Sequence, residues 1–249
     1  MRIERDGAVA ILTMDSGKAN AMSSQFLDEL SAAFAGLGDA RAAVITGNEK
    51  IFSAGLDLPG IIDLERKPLT EFMGKFERVM LQAFELPVPL VAAISGHAIA
   101  GGAVLALQAD VRIAVDRESL RIGFNEAQLG MGLPAMVIEP LREQVPGPSL
   151  TRMVLTGELF GPHEALRLGL LHEVAPEGTL MQRALAKAQA FAALPAGGLR
   201  NIKSSLRKPI GDRIRALAGV GNDRFADIWF APDTQLALRA TVAKLKPKS

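Results

Sequence analysis

The sequence predicts an α/β protein, and two patterns support this fold class. Short apolar runs alternate with segments whose apolar residues recur at helical spacing, which is typical of a parallel sheet with helical crossovers. From about Pro134 onwards helical patterns dominate, with one late strand-like run at 170–174. The 249 residues are enough for one large core with a helical appendage.

The first half is predicted to contain a hairpin followed by alternating helices and strands. Residues 3–5 and 9–14 flank Asp6 and Gly7, a dipeptide typical of tight hairpin turns. Ser23 or Ser24 can cap the next helix, whose apolar residues share one face. The later elements are a strand at 42–46, a loop at 47–53, a helix at 69–86 and strands at 89–94, 111–115 and 120–124.

The second half is predicted to be a series of helices separated by proline and glycine. These helices cover 179–194, 199–207, 212–230 and 233–245, and the breaks between them lie at 195–198, 209–211 and Pro232. We place a boundary near Pro195, so that 1–195 form the core and 196–249 form a helical region.

Composition excludes several classes of function. With 28 basic and 27 acidic residues the net charge is +1, which gives no field for nucleic acid or an anionic membrane. There is no cysteine, and the three histidines lack ligand spacing, so neither a disulfide framework nor a metal site is expected. The first residues lack an apolar signal core, which predicts a cytoplasmic protein. Residues 86–109 carry no fixed charge, but their prolines and glycines favour a buried core over a membrane span.

The stretch 95–102, Ser-Gly-His-Ala-Ile-Ala-Gly-Gly, is the first candidate site. It follows an apolar strand and is predicted to open directly into a buried helix. Because the first NH groups of a helix have no internal acceptor, this junction could present bare main-chain donors to an anion or an oxyanion. The small residues could equally serve tight packing of helix on strand, and the motif alone leaves both interpretations open.

Two further stretches could carry chemistry. In 51–58 a small-residue turn includes Ser53, Ala54 and the NH group of Leu56, and Asp57 can cap a short helix. In 124–130 the carboxyl group of Glu126 lies between apolar neighbours. Considered singly, the first could be an ordinary turn and the second a surface glutamate favoured by a helix dipole.

Together and in this order, the three stretches resemble the crotonase superfamily, the enoyl-CoA hydratase/isomerase family. The likeness covers nearly the whole chain and includes 18–21, 157–158, 165–170 and 232–233. It implies a spiral of strand-strand-helix units, a C-terminal helical trimerisation region, and assembly as a homotrimer or a dimer of trimers. It also implies an acyl-CoA thioester substrate, in which CoA is the carrier and no other cofactor is needed.

The resemblance also implies roles for individual residues. The NH groups of Leu56 and Gly101 would hold the thioester oxygen. The CoA moiety would contact Lys18, Ala19, Ser53, Ala54 and Leu56, and the terminal lysines 244, 246 and 248 could reach its phosphates. His97 is expected to be satisfied by backbone, and Asp110 is expected to be a structural cap.

One departure from the family pattern bears on the reaction. Hydratases of the family carry two catalytic glutamates, and here the first position is Val104 while the second is Glu126. Hydration needs one group to activate water and another to protonate carbon, whereas moving a double bond needs a single base. The site therefore resembles that of Δ3,Δ2-enoyl-CoA isomerases, with Glu126 as a base whose pKa is raised by apolar neighbours. The alternatives are a hydratase, another acyl-CoA reaction such as hydrolysis, and a non-catalytic acyl-CoA-binding subunit.

Overall fold

Two β-sheets organise the chain in a computed structural model that describes residues 1–245. The strands are β1 Arg2–Asp6, β2 Val9–Thr13, β3 Ala42–Thr46, β4 Ile51–Ser53, β5 Leu90–Ile94, β6 His97–Ile99, β7 Val111–Val115, β8 Ile122–Gly123 and β9 Glu173–Ala175. The helices are α1 Ser24–Ala35, α2 Leu58–Ile61, α3 Arg66–Phe84, α4 Gly101–Leu107, α5 Ala135–Gln144, α6 Gly147–Thr156, α7 Pro162–Arg167, α8 Leu180–Ala193, α9 Ala196–Trp229 and α10 Pro232–Leu245. A 3-10 helix covers Glu126–Leu129.

From β3 onwards the strands alternate between the two sheets along the chain. The larger sheet has the order β1-β2-β3-β5-β7-β9 and the smaller has the order β4-β6-β8. Each of β3, β5 and β7 is followed by a short strand of the smaller sheet, and every pairing except β1–β2 is parallel. The expected α/β spiral of strand-strand-helix units, with a helical C-terminal region, is confirmed.

The amino-terminal elements follow local sequence signals. Strand β1 pairs antiparallel with β2 and aligns Asp6 with Val9, so the turn residues are Gly7 and Ala8, one residue later than the predicted Asp6 and Gly7. Gly7 has φ +55°, a conformation that glycine adopts at little cost. The hydroxyl of Ser23 accepts a 3.1 Å hydrogen bond from the NH group of Phe26, which confirms one of the two predicted caps of α1.

The apolar run at 86–109 forms the centre of the core. Every residue of β5 and of α4 is buried, which explains why neither segment shows an amphipathic pattern. Among residues 1–245, no helix combines the length and the apolar character needed to cross a bilayer.

Several predicted boundaries are wrong, and short strands account for two of them. Residues 51–53 were expected within a loop but form β4, and β6 lies between β5 and α4 where a direct junction was expected. A strand of three residues is too short to show an alternation of apolar and polar residues, so the sequence does not predict it. Its conformation is determined by the strands with which it pairs. The late strand is Glu173–Ala175 instead of 170–174.

Helix α9 runs unbroken through the predicted break at 209–211. Pro209 lies inside the helix, which extends from Ala196 to Trp229. An interior proline normally disfavours a helix. Here Arg207 binds Asp110 on one side of Pro209, and Arg213 binds Glu139 on α5 on the other, so tertiary contacts hold both halves in line. The division of the chain at Pro195 stays a prediction.

Asp110 ties α9 to the larger sheet. Its carboxylate accepts hydrogen bonds from the NH group of Leu90 at 2.8 Å, from Nζ of Lys203 at 2.6 Å and from Arg207 at 2.9 Å. Burial alone would raise the pKa of Asp110, but the charges of Lys203 and Arg207 outweigh burial and lower it. Asp110 therefore has the structural role expected from sequence and also anchors α9.

Replacing Asp110 by asparagine should strongly destabilise the fold. The change leaves the side chains of Lys203 and Arg207, which are 8% and 12% exposed, without a compensating charge. We expect a loss of about 3–5 kcal/mol in the free energy of unfolding, measured by urea denaturation. Asp212→Asn, which alters the exposed pairs of Asp212 with Lys208 and Arg215, is the control and should change stability little. Equal effects of the two substitutions would contradict the anchoring role.

Candidate active site

A largely apolar cavity of about 440 Å³ lies at the carboxyl ends of the three strands of the smaller sheet. Because β4, β6 and β8 are parallel, the residues that follow each strand meet at one edge. Leu56 follows β4, Gly101 follows β6 and Glu126 follows β8, and all three line the cavity. The remaining wall is mostly hydrophobic and includes Met73, Phe76, Val104, Leu129, Val137 and Phe225.

The loops after β4 and β6 approach each other closely. A Cβ atom built on Gly101 would lie 3.1 Å from Cα of Gly55 and 3.4 Å from the nitrogen of Leu56. Gly101 is the first residue of α4, so its NH group has no intrahelical acceptor. Neither this NH group nor that of Leu56 donates to a backbone acceptor within residues 1–245. The two donors therefore lie side by side and are available to a ligand oxygen.

The backbone around these donors is strained. Gly55 has φ +89°, and Ala100 has φ +50° with ψ −121°, a conformation that residues with a Cβ atom rarely adopt. Ala100 is held on both sides, because its NH group donates to the oxygen of Gly123 and its oxygen accepts from the NH group of Val104, each at 2.9 Å. Strain that is enforced in this way is typical of functional sites.

Glu126 brings the carboxyl group of the site. It begins the 3-10 helix that follows β8, and only 7% of its surface is exposed. Its Oε2 atom is buried and has no hydrogen-bond partner among the described residues. Burial raises the pKa of Glu126 to about 7, with its own backbone hydrogen bond acting in the opposite direction. The carboxyl group can therefore both take up and release a proton near neutral pH.

Val104, on α4, also faces this cavity and is 2% exposed. The position that the resemblance aligns with a hydratase glutamate is therefore an apolar part of the wall. Asp57 is the second carboxylate that lines the cavity, but its Oδ1 atom accepts from the NH group of Gly60 and caps α2.

The cavity contains most of the residues expected to contact the CoA moiety, but not all. Ala19, Ala54 and Leu56 line it, whereas the exposed Lys18 lines a separate surface depression. Ser53 is fully buried away from the cavity surface, because its hydroxyl donates to the oxygen of Asn20 at 2.8 Å and accepts from the NH group of Gly55 at 3.2 Å. Its structural role is to support the loop that precedes Leu56. Lys244 is exposed near the end of α10, and Lys246 and Lys248 lie outside the described residues.

His97 and Asn20 both bind main-chain groups. Nδ1 of His97 accepts a 3.1 Å hydrogen bond from the NH group of Arg121, and the side chain lines the same depression as Lys18. The expected backbone role of His97 is therefore the observed one. Asn20, which the sequence reasoning did not single out, is fully buried and donates to the oxygens of Met14 and Phe52 at 3.2 and 3.1 Å. It fixes the segment that carries Ala19 against β4.

The C-terminal helices also contribute to the cavity. Phe225 on α9 and Thr241 and Leu245 on α10 line it together with the residues of the smaller sheet. The cavity wall therefore extends into the predicted C-terminal helical region, 196–249. Helical spacing predicted helical segments within α9 and α10 but did not indicate which of their faces would cover the cavity.

Comparison with known proteins identifies relatives of the same architecture. The family model for "Enoyl-CoA hydratase/isomerase" matches residues 4–248. Enoyl-CoA delta isomerase 1, mitochondrial, from Rattus norvegicus is 28% identical over 99% of this chain and 87% of its own length. Carnitinyl-CoA dehydratase from Escherichia coli K12 is 34% identical over 76% of this chain and 73% of its own. The crystal structure of human mitochondrial delta3-delta2-enoyl-CoA isomerase superposes with a TM-score of 0.94 and 28% identity, and covers 98% of this chain and 97% of that one.

Fold and site together define an α/β enzyme class in which main-chain NH groups and a buried carboxyl group line one apolar cavity. More particularly, the chain belongs to the enoyl-CoA hydratase/isomerase family.

Replacing Gly55 by alanine should disable the pair of NH donors. The added methyl group would lie 2.8 Å from the nitrogen of Gly101 and 2.9 Å from the oxygen of Ile99, so the loops must separate. Loss of one oxyanion donor costs on the order of 10²–10³ in turnover, which steady-state kinetics on an acyl-CoA substrate would detect. Gly7→Ala is the control, because Gly7 also has positive φ but has no atom within 4 Å of the added methyl group. Equal activity losses in the two variants would indicate a backbone effect without a role for the donors.

Proposed function

We propose that this chain is an enoyl-CoA isomerase that converts a 3-enoyl-CoA into a 2-enoyl-CoA. The observation that carries the proposal is the buried carboxyl group of Glu126 in a cavity where Val104 occupies the position of the hydratases' other carboxylate. This arrangement supplies one proton carrier where hydration uses two.

In the proposed reaction the carboxylate of Glu126 removes a proton from C2, so the C2–H bond breaks and a carboxyl O–H bond forms. The electrons of the broken bond delocalise over the thioester and the C3–C4 double bond as a dienolate. The NH groups of Leu56 and Gly101 donate to the negatively charged oxygen, which they stabilise more strongly than the neutral carbonyl. Glu126 then returns its proton to C4, which leaves the double bond between C2 and C3 and consumes no water.

The substrate is held mainly by shape and main-chain contacts in this proposal. The CoA moiety would lie along Ala19, Ala54 and Leu56, with Lys18 near its nucleotide. CoA enters as part of the substrate, and no further cofactor takes part. We also propose a cytoplasmic homotrimer or dimer of trimers, and Ile202 and Leu206 of α9, which are 60% and 68% exposed, are suited to such an interface.

Hydration is the second candidate function. The 34% identity to carnitinyl-CoA dehydratase favours it, because a dehydratase removes water from a CoA thioester. Loss of absorbance from a conjugated 2-enoyl-CoA would identify a hydratase, whereas gain of that absorbance from a 3-enoyl-CoA would identify an isomerase. Release of free CoA would identify a hydrolase, and binding without turnover a non-catalytic subunit.

Replacing Glu126 by glutamine should abolish isomerisation and preserve ligand binding. The amide keeps the size of the side chain but cannot take up the C2 proton, so we expect kcat to fall by about 10²–10⁴. The control is Asp57→Asn, which changes the cavity's other carboxylate while retaining a good helix cap, and should isomerise 3-enoyl-CoA close to the parent rate. Parental turnover in the glutamine variant, or its loss in the asparagine variant, would refute the assignment of the base.

The pH dependence of kcat/KM should report the buried state of Glu126. Removal of the C2 proton needs the carboxylate, so kcat/KM should rise with pH and level off above about pH 7, following the raised pKa of about 7. Thermal unfolding measured at each pH would separate this effect from loss of the fold. A profile that is already level at pH 5 would mean that Glu126 is not the group whose ionisation limits the rate.

A further inference from the structure

A second buried carboxyl group joins two helices that both contribute to the cavity wall. Glu77 on α3 is 5% exposed, and its Oε2 atom accepts a 2.9 Å hydrogen bond from Nδ2 of Asn222 on α9. Glu77 directly follows Phe76, and Asn222 precedes Phe225 by about one helical turn. Because Phe76 and Phe225 both line the cavity, the pair lies just behind its wall.

Each of the two groups has one oxygen without a donor. Oε1 of Glu77 and Oδ1 of Asn222 are buried, and neither has a partner among the described residues. A carboxylate oxygen and an amide oxygen both accept hydrogen bonds, and neither can donate one. A proton on Oε1 would satisfy both atoms, since Oε1–H would donate to Oδ1 while Nδ2 continues to donate to Oε2.

We propose that Glu77 is protonated in the folded protein, where it forms a two-bond acid–amide pair with Asn222 that positions Phe225 as the wall of the acyl site. The acyl part of this statement rests on the proposed function, whereas the protonated pair does not. Burial raises the pKa of Glu77, and the hydrogen bond from Asn222 and the charge of Arg78 only partly oppose that effect.

The charges on the helices around α3 do not supply a partner for an ionised Glu77. Helix α4 carries no charged side chain, and Asp223 and Arg224, next to Asn222, are exposed. Arg78, next to Glu77 on α3, lowers the pKa of Glu77 but does not reverse the effect of burial. Several of the other charges are paired with one another. These pairs are Asp28 with Lys75, Glu139 with Arg142 and Arg213, Glu85 with Arg215, and Asp227 with Arg66.

Three substitutions distinguish this pair from a general contact between helices. Glu77→Gln preserves both bonds without a proton, because its amide can donate to Oδ1 and accept from Nδ2. Asn222→Leu removes both bonds. The control is Glu85→Gln, which weakens the ion pair between Arg215 on α9 and Glu85, the residue that directly follows α3.

Binding of saturated butanoyl-CoA and dodecanoyl-CoA, which cannot isomerise, tests the effect on the cavity wall. The fluorescence of Trp229, the sole tryptophan, reports binding because its ring centroid lies 5.9 Å from that of Phe225. We expect Asn222→Leu to weaken dodecanoyl-CoA binding by about tenfold and butanoyl-CoA binding by less than about twofold. Glu77→Gln and Glu85→Gln should both bind like the parent. Equal weakening for the two ligands, or none, would overturn the positioning role.

The protonated pair is tested without any acyl-CoA, by comparing the parent with Glu77→Gln. The unfolded chain releases the proton near the ordinary carboxyl pKa of 4.5, and the folded protein retains it to higher pH. The unfolding equilibrium constant of the parent, divided by that of the variant, should therefore rise with pH by up to about tenfold per unit above 4.5. Because both proteins contain Glu126, its titration cancels. The infrared band of a protonated carboxyl group should also weaken in the variant near neutral pH, and a flat ratio with an unchanged band would overturn the proposal.

Discussion

The site depends on the close approach of two main-chain loops, one after β4 and one after β6. A Cβ atom on Gly55 would lie 2.8 Å from the nitrogen of Gly101, so this approach leaves no room for a side chain at that position. It is kept because β4 and β6 pair in parallel and end at the same edge, with Ser53 and Asn20 bracing the first loop. Burying NH groups that make no hydrogen bond lowers the stability of the fold. A bound ligand oxygen would accept hydrogen bonds from both NH groups, whereas tight packing does not require such groups.

Burial of Glu126 in the same cavity also lowers the stability of the fold. A pKa raised from 4.5 to about 7 corresponds to roughly 3 kcal/mol of stability that the folded protein loses as pH rises through that range. The cost comes from an environment with no hydrogen bond for Oε2 and with Val104 in the wall. The same environment makes the carboxylate a stronger base than it would be in water, which matches a proton carrier and would serve no purpose in a structural glutamate.

The parts of the fold and of the site that could be predicted from sequence are those with long or distinctive sequence patterns. The strand at 42–46 and the helix after Ser23 follow from apolar patterns and a capping residue, and the neighbourhood of Leu56, Gly101 and Glu126 follows from ordered motifs. Strands β4 and β6 were missed because three residues show no periodicity, and the continuity of α9 because contacts made far along the chain outweigh Pro209. The burial of Ser53 depends on Asn20, a partner that spacing along the chain does not reveal.

Helix α9 links the stability of the fold to the completeness of the site. Its first half is anchored to the larger sheet through Asp110, and its second half carries Phe225 into the cavity. A dienolate is protonated readily by water, so the proposed reaction needs a cavity closed on the side that the smaller sheet leaves open. The segments that follow β4, β6 and β8 supply the NH donors and the carboxyl group, but they do not supply the wall on the open side of the smaller sheet. For the proposed reaction, residues beyond 195 therefore matter because Phe225, Thr241 and Leu245 complete the wall of the cavity that Glu126 also lines.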